Sequence, residues 1–223
     1  MPEIKESNSR NIPGIAECQL QCFPASMAVL LGKKTVEKSL EWFLISDNRF
    51  LIHIEEDEKV VGFLGGFAPR FIGDGGKSGM FMHSLPETIK AFVKNPSLVM
   101  HNEIRNYAPA FVRNIAIRFL NNLSLKPPIQ NSTDYLQCLQ VSIIGVHPSF
   151  RGNGYALALM KKAEDYAALH NKQKLQLSVK QKNLPAVNMY KKAEWEISGR
   201  LKDTFQMKKQ LGGIRNQNLV VEA

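Results

Sequence analysis

Cysteine is scarce in this chain: three thiols in 223 residues are too few for a disulfide framework, which excludes a small cross-linked secreted scaffold. Cys18 and Cys22 stand four apart, on one face of a helix, and read as small buried hydrophobes. The histidines at 53, 83, 101, 147 and 170 form no spaced cluster, so no metal is expected. No apolar run approaches the ~20 residues that cross a bilayer. The opening MPEIKESNSR also lacks the apolar region of a signal peptide. A cytoplasmic protein with no membrane partner is therefore expected. Long blocks of one charge are missing too. Lys and Arg outnumber Asp and Glu by 29 to 20, but they are scattered singly and in pairs, as on a solvated surface. No aromatic-rich basic strand pair, zinc-finger or RNP pattern accompanies them, so no nucleic-acid partner is expected. Internal repeats and low-complexity segments are absent as well.

What is present is alternation of strand and helix patterns. A short strand is expected at Ile4. A helix follows over Ile15 to Phe23, with Asn11 as N-cap, Pro13 in the first turn and Pro24 as its stop. A second helix is expected from Thr35, with Val36, Leu40, Phe43 and Leu44 at helical spacing. Phe50 to Ile54 and Val60 to Leu64 flank the acidic turn Glu55-Glu56-Asp57-Glu58, the pattern of a β-hairpin with its tip in solvent. From about Gly73 to Asp134 a different region intervenes, with helices near Leu85 to Val93 and Ala110 to Leu120 and a loop over Leu125 to Ser132. The last third is regular. Strands are expected at Leu139 to Val146 and Leu175 to Val179, and helices at Tyr155 to Asn171 and Pro185 to Lys192. Closing strands follow at Ile197 to Leu201 and Phe205 to Gln210. One domain over 1–211, with the insertion at about 73–134, and a loose tail over 212–223 is the expected organisation.

The chemistry-bearing stretch is Val141-Ser-Ile-Ile-Gly-Val-His-Pro-Ser-Phe-Arg151-Gly152-Asn153-Gly154-Tyr155-Ala156. An apolar strand runs into a turn with two glycines, and a helix starts there. Backbone N–H groups converge at such a turn and the helix dipole adds positive potential, so phosphate is the natural ligand. Two phosphate-loop patterns fail. A dinucleotide fingerprint needs a third glycine where Leu157 stands, and Val179 is followed by Lys180 rather than an acidic residue. A Walker loop at Gly76-Lys77-Ser78 would need its leading glycine at Phe71, and Gly79 would spoil its helix.

A third pattern fits. Arg151-x-x-Gly154-x-Ala156 resembles the loop with which the GNAT acetyltransferase superfamily holds the pyrophosphate of coenzyme A. Val146-His147-Pro148 before it is similar to the family's V-x-P strand ending. Asn183-x-x-Ala186-x-x-x-Tyr190 with Trp195 is similar to the family's N-x-x-A-x-x-x-Y-x-x-x-G-F, and Phe205 to Lys209 to its last strand. The resemblance covers about residues 139–210. Two departures stand out: Glu194 and Trp195 occupy the places of Gly and Phe, read here as a change of turn only, and Gln140 stands near a position where many relatives carry Glu.

The resemblance implies an α/β fold of the α+β type, a mixed and mostly antiparallel sheet flanked by helices, with a helical insertion between strands 3 and 4. It implies an N-acetyltransferase passing acetyl from acetyl-CoA to a primary amine of a small molecule or peptide by direct attack in a ternary complex. The cofactor-binding residues it implies are Ile144, Gly145, Val146, Arg151, Gly152, Asn153, Gly154, Tyr155, Ala156 and Asn183. Tyr190 is the implied acid for the leaving thiolate; a packed helix aromatic is the plainer reading of the same residue. Glu55, Glu56, His53, His147 and Glu103 are candidates for the base, with water as the alternative. The insertion is expected to form a lid or wall of the acceptor pocket, with Arg113 and Arg118 meeting an anionic group, or else a packing or homodimer element. A catalytically silent acyl-CoA sensor is the alternative function.

Overall fold

The computed structural model describes residues 2–71, 74, 76–101, 104–105 and 132–212. Its centre is a seven-stranded sheet in the order β1-β2-β3-β4-β5-β7-β6. The strands are β1 (Ile4–Glu6), β2 (Arg49–Glu56), β3 (Lys59–Phe67), β4 (Cys138–Val146), β5 (Lys174–Lys180), β6 (Glu196–Leu201) and β7 (Thr204–Gln210). Every neighbouring pair is antiparallel except β4 and β5. The expected mixed, mostly antiparallel sheet is therefore present.

Alternation along the strands feeds two apolar layers, one on each face. Phe50, Ile52 and Ile54 point to a cluster that includes Leu159 and Ala163. Leu51 and Phe63 point the other way, to Ile15, Val36 and Phe43. The second layer is covered by α1 (Ile12–Cys22) and α3 (Lys33–Glu41), with the short α2 (Met27–Leu30) between them. The first is covered by α6 (Tyr155–Leu169) and α7 (Leu184–Lys192). In α6 the buried residues Leu159, Met160, Ala163 and Ala167 recur at three- and four-residue intervals, the stripe that seats a helix on a sheet. The β2–β3 turn has positive φ at Asp57 (47°) and Glu58 (61°), the paired left-handed conformation of a two-residue hairpin turn.

Several expectations needed correction. Asn11 precedes α1 but has helical backbone angles and makes no side-chain cap; its Oδ1 accepts instead from the Asn8 N–H. The helix starts at Ile12, and Phe43 and Leu44 lie in a 3-10 turn after α3. The helix expected near Leu85 to Val93 is the end of a longer α4 (Gly76–Lys94). Gly79 does not break it. A Cβ there would lie 2.5 Å from Trp42 Nε1, so glycine serves close packing against the indole. The Ala110 to Leu120 helix, Arg113, Arg118, Glu103 and the 213–223 tail lie outside the described residues, as does the expected loop apart from Ser132, which begins α5 (Ser132–Leu136).

The two stems of the intervening region are tied to each other and to the sheet. The Tyr135 hydroxyl donates to Asp74 O. Lys172 Nζ donates to Pro69 O at 3.1 Å and Leu136 O at 2.7 Å. Asp134 accepts from Lys174 and Lys208. These ties hold the start of β4 where it meets β5.

At the other end of the C-terminal half, α7 closes through Ala193 and Glu194. Trp195 N–H donates to Tyr190 O at 3.0 Å, and Glu194 adopts φ 65°. This left-handed position after a helix is where glycine is normally found, so the chain here carries a side chain in a conformation that costs an L-residue about 1–2 kcal/mol. Glu194→Gly is expected to stabilise the fold by about 1 kcal/mol, net of glycine's entropy, and to raise the melting temperature by about 2–4 °C. A thermal melt followed by circular dichroism checks this; an unchanged or lower midpoint would show that Glu194 is held without strain.

Candidate active site

β4 and β5 are paired only over Cys138–Gln140 and Lys174–Gln176. β5 continues to Lys180 beside β7, and β4 continues to Val146 beside β3. The two parallel strands therefore part after Gln140, and the β5-facing edge of Val141 to Val146 has no strand partner among the described residues. The register of β3 against β4 slips at the same place: Gly65 pairs with Ile143 and Gly66 with Val141, leaving Ser142 as a bulge. A bulge increases local twist and redirects a strand, which accounts for the parting. The backbone of Ile144, Gly145 and Val146, which the resemblance implies to be cofactor-binding, thus lines a wedge.

The wedge ends at the glycine turn. Gly152 has φ 91° and Gly154 φ 79°, conformations that glycine adopts without penalty, and a Cβ at either would meet nothing within 4 Å. The glycines are there for backbone conformation and not for packing. Among the described residues, no N–H from Gly152 through Leu157 donates to a protein acceptor; the first helical bond of α6 is Ala158 N–H to Gly154 O at 3.0 Å. These exposed N–H groups at the positive end of a 15-residue helix form an anion cradle. Arg151 is anchored beside it, its Nε donating to Val146 O at 3.3 Å. The donor set fits a pyrophosphate.

Tyr155 opens α6 and donates its hydroxyl to Glu56 Oε1 at 2.6 Å. That bond, with smaller contributions from burial and the carboxylate charge, raises the phenol pKa. It ties the hairpin tip to the cradle, so Glu56 is engaged as an acceptor. The other candidate bases in the hairpin are engaged too. His53 is 1% exposed, with Nδ1 2.8 Å from Ser7 Oγ and Nε2 3.2 Å from Glu55 Oε1. Burial lowers its pKa against the opposing pull of Glu55. Glu55 also accepts from Lys5 at 2.7 Å, and that hydrogen bond is the main cause of its lowered pKa. His147 Nδ1 accepts from the Ser149 N–H at 3.3 Å, so the neutral ring carries its proton on Nε2. It lines a cleft of about 610 Å³ with Arg10, Glu17, Cys18 and Glu58, between α1 and the hairpin tip.

Tyr190 lies in the same apolar cluster as Val141 and Leu139 of β4 and Leu177 and Val179 of β5, with Ile144 packed against it. Burial alone pushes its pKa up to about 12. Asn183, expected at the cofactor, is the N-cap of α7, its Oδ1 accepting from the Ala186 N–H at 3.4 Å. Trp195, read from the sequence as part of an altered turn, is 3% exposed and packs with Tyr190 at 5.8 Å between ring centroids. A tryptophan where the motif places phenylalanine was the available signal.

Among the described residues there is no group of three or more His, Cys, Asp or Glu side chains arranged to hold a metal ion. None of their helices is long and apolar enough to cross a membrane.

Residues 126–195 match the family model described as Acetyltransferase (GNAT) family. An acetyltransferase of Yersinia enterocolitica is 35% identical over 68 residues, 30% of this chain and 45% of that protein; the chain thus spans less than half the length of the curated relatives it matches. Among solved structures, the N-acetyltransferase PaiA of Thermoplasma acidophilum in complex with coenzyme A superposes with a TM-score of 0.52 at 9% identity, covering 95% of this chain and 99% of that one. The ribosomal-protein-alanine N-acetyltransferase of Brucella melitensis gives 0.54 at 11%, covering 94% and 99%.

Proposed function

We propose that this chain, whose residues 126–195 match the GNAT acetyltransferase family model, transfers an acetyl group from acetyl-CoA to a primary amine of a small molecule or peptide. The observation that carries this reading is the cradle of unpaired N–H groups from Gly152 to Leu157 at the end of a strand wedge. A neighbour of this fold is a complex with coenzyme A. In the proposed complex the N–H groups of Gly152, Asn153, Gly154, Tyr155 and Ala156 hold the pyrophosphate, with Arg151 adding charge. The free edge of Ile144, Gly145 and Val146 hydrogen-bonds the pantetheine arm and stabilises the developing oxyanion. Asn183 sets the start of α7 at the same ligand.

The bound thioester supplies the activated acyl group: the acceptor nitrogen bonds to its carbonyl carbon and the carbon–sulfur bond breaks. Tyr190 keeps its proton at any physiological pH and offers it to the departing sulfur. Because His53, Glu55 and Glu56 are each committed to a neighbour, solvent in the α1-side cleft takes the proton from the acceptor ammonium. The insertion at 73–134 is proposed to shape acceptor choice within a single domain over 1–211. Neither nucleic acid nor membrane is invoked as a partner, homodimerisation is an open proposal, and three unbridged thiols suit the cytoplasm.

Gln140 favours a second reading, a silent acyl-CoA sensor, since a carboxamide cannot serve as a base. Calorimetric titration with CoA, followed by release of CoA from acetyl-CoA across an amine panel, separates the two. Binding with turnover on at least one amine is the expected result. Binding without turnover on any amine would favour the sensor, and no binding would overturn both.

A further inference from the structure

Two of the three thiols are paired on α1, and the reaction proposed above uses neither. Cys18 and Cys22 stand one helical turn apart, hydrogen-bonded thiol to thiol with their sulfurs 3.9 Å from each other. Both reach solvent. Cys18 lines the cleft of about 610 Å³ between α1 and the hairpin tip, beside His147, and Cys22 is 9% exposed. Cys22 also packs on β4, where a Cβ at Gly145 would lie 3.1 Å from its Sγ.

The two sulfurs are unequal. The hydrogen bond from Cys18 holds the Cys22 thiol below its ordinary range, against the effect of burial and with help from the Arg151 charge. Cys18, which gives that hydrogen bond and is also buried, is pushed up. One proton thus serves both sulfurs, and Cys22 carries the thiolate. A thiolate beside a protonated thiol is the arrangement of an attacking cysteine and a resolving one. Cys138 is the contrast. It is buried, its S–H donates to Asp134 O at 3.1 Å, and burial raises its pKa.

We propose that Cys18 and Cys22 are a modification site for hydrogen peroxide, a dithiol that closes to a disulfide at the end of α1. The Cys22 thiolate attacks one peroxide oxygen, the O–O bond breaks, and hydroxide leaves a sulfenic acid on Cys22. Cys18 gives its proton to that hydroxide, forming water. Its sulfur then attacks the Cys22 sulfur and expels a second hydroxide. The two sulfurs lose two electrons and the peroxide gains them. A disulfide needs Cβ atoms ~3.5–4.5 Å apart, against ~5–6 Å for residues four apart on a regular helix, so the last turn must open. It is placed to do so. Cys22 ends α1, Phe23 already leaves helical angles at φ -137°, and Pro24 follows. In a reducing compartment such a bridge is a transient redox mark and not a structural cross-link.

Trypsin releases Cys18 and Cys22 together in residues 11–33, apart from Cys138. The folded protein is treated with hydrogen peroxide, quenched, unfolded, alkylated with iodoacetamide and digested for mass spectrometry. The peptide 11–33 is expected to lose two hydrogens and both alkylation sites, and to regain them after dithiothreitol. Cys138 should be alkylated as in untreated protein. Cys18→Ala should stop at a sulfenic acid on Cys22, captured by dimedone. In Cys22→Ala, Cys18 should oxidise at least ~10-fold more slowly than Cys22 does in Cys18→Ala, since each unit of thiol pKa changes the thiolate fraction about tenfold. A peptide 11–33 that stays a dithiol while added glutathione is oxidised would overturn the proposal. So would oxygen added to the two cysteines without loss of hydrogens, or Cys138 oxidised equally fast. None of these measurements involves CoA, so their outcome is separate from that of the acyl-CoA reading.

Discussion

Gly154→Glu is expected to weaken CoA binding by at least ~100-fold, the loss of one or two charge-assisted hydrogen bonds, while the protein stays folded. The position is the N-cap of α6 at φ 79°, and a Cβ there would meet no atom within 4 Å. Damage through packing is thus excluded. Two effects remain. A side chain at this φ costs about 1–2 kcal/mol, which the loop relieves by turning away and so breaking the convergence of its N–H groups. The added carboxylate also sits where the pyrophosphate charge must go. Gly154→Ala separates the two, since it carries the strain without the charge, and should lose about tenfold. S-acetylpantetheine, which has no pyrophosphate, should bind wild type and Gly154→Glu alike. Calorimetry on these three proteins with both ligands decides the matter. Equal CoA affinity in wild type and Gly154→Glu would move the phosphate site away from this loop.

The cradle was legible in the sequence because its signals are local. An apolar run ends just before Pro148, two glycines follow within six residues of it, and a helical stripe begins at Tyr155. The same holds for the C-terminal strands, whose alternation matches β5 and β7 closely. What escaped was set by contacts between distant positions. Gly79 reads as spoiling a helix start and the first helix of the intervening region is expected only near Leu85, yet Gly76 and Gly79 open α4, where a Cβ would run into Phe67 and Trp42. Tyr155 and Glu56 are 99 positions apart and meet in a hydrogen bond, so an acidic residue that reads as a solvated tip or a base is a brace for the cradle. His53 reads as a candidate base because its type permits it. Its burial and its bonds to Ser7 and Glu55 are consequences of sheet register, which no local pattern around residue 53 encodes. Trp195 shows a third kind of failure. The residue type is a departure from the motif, but its burial beside Tyr190 depends on how α7 closes, through a left-handed Glu194 that a sequence pattern does not announce.

Tyr190→Phe is expected to lower kcat for acetyl transfer by about 100-fold, the lower end of what a positioned general acid supplies, with KM for acetyl-CoA changed less than twofold. The ring and its packing against Trp195 are retained in phenylalanine, so the loss isolates the hydroxyl. The pH profile provides the sharper test. An unperturbed phenol loses its proton near 10, and a reaction that needs it would fail from pH 9 upward. Burial raises the Tyr190 pKa to about 12, which keeps the neutral, donating form in place, so no loss of kcat attributable to this residue should appear below pH 11. The raised value also makes Tyr190 a weaker acid than a free phenol. A solvated alkyl thiolate is a weaker base than this buried phenolate, so full proton transfer to it would be uphill. The same dry cluster that raises the phenol raises a thiolate formed beside it, which narrows the gap. In the proposed reaction Tyr190 would therefore act chiefly as a hydrogen-bond donor while the carbon–sulfur bond is breaking and complete the transfer as the sulfur gains charge. A poorer leaving group should depend on it more. Acetyl-oxy-CoA, in which oxygen replaces the sulfur, should lose more than acetyl-CoA does on Tyr190→Phe, because an alkoxide needs the proton more than a thiolate does. The measurements are kcat and KM for both donors from pH 6 to 10, with the acceptor identified from the amine panel. Equal kcat for wild type and Tyr190→Phe, under conditions where single-turnover rates show chemistry to be limiting, would return Tyr190 to the role of a packed aromatic.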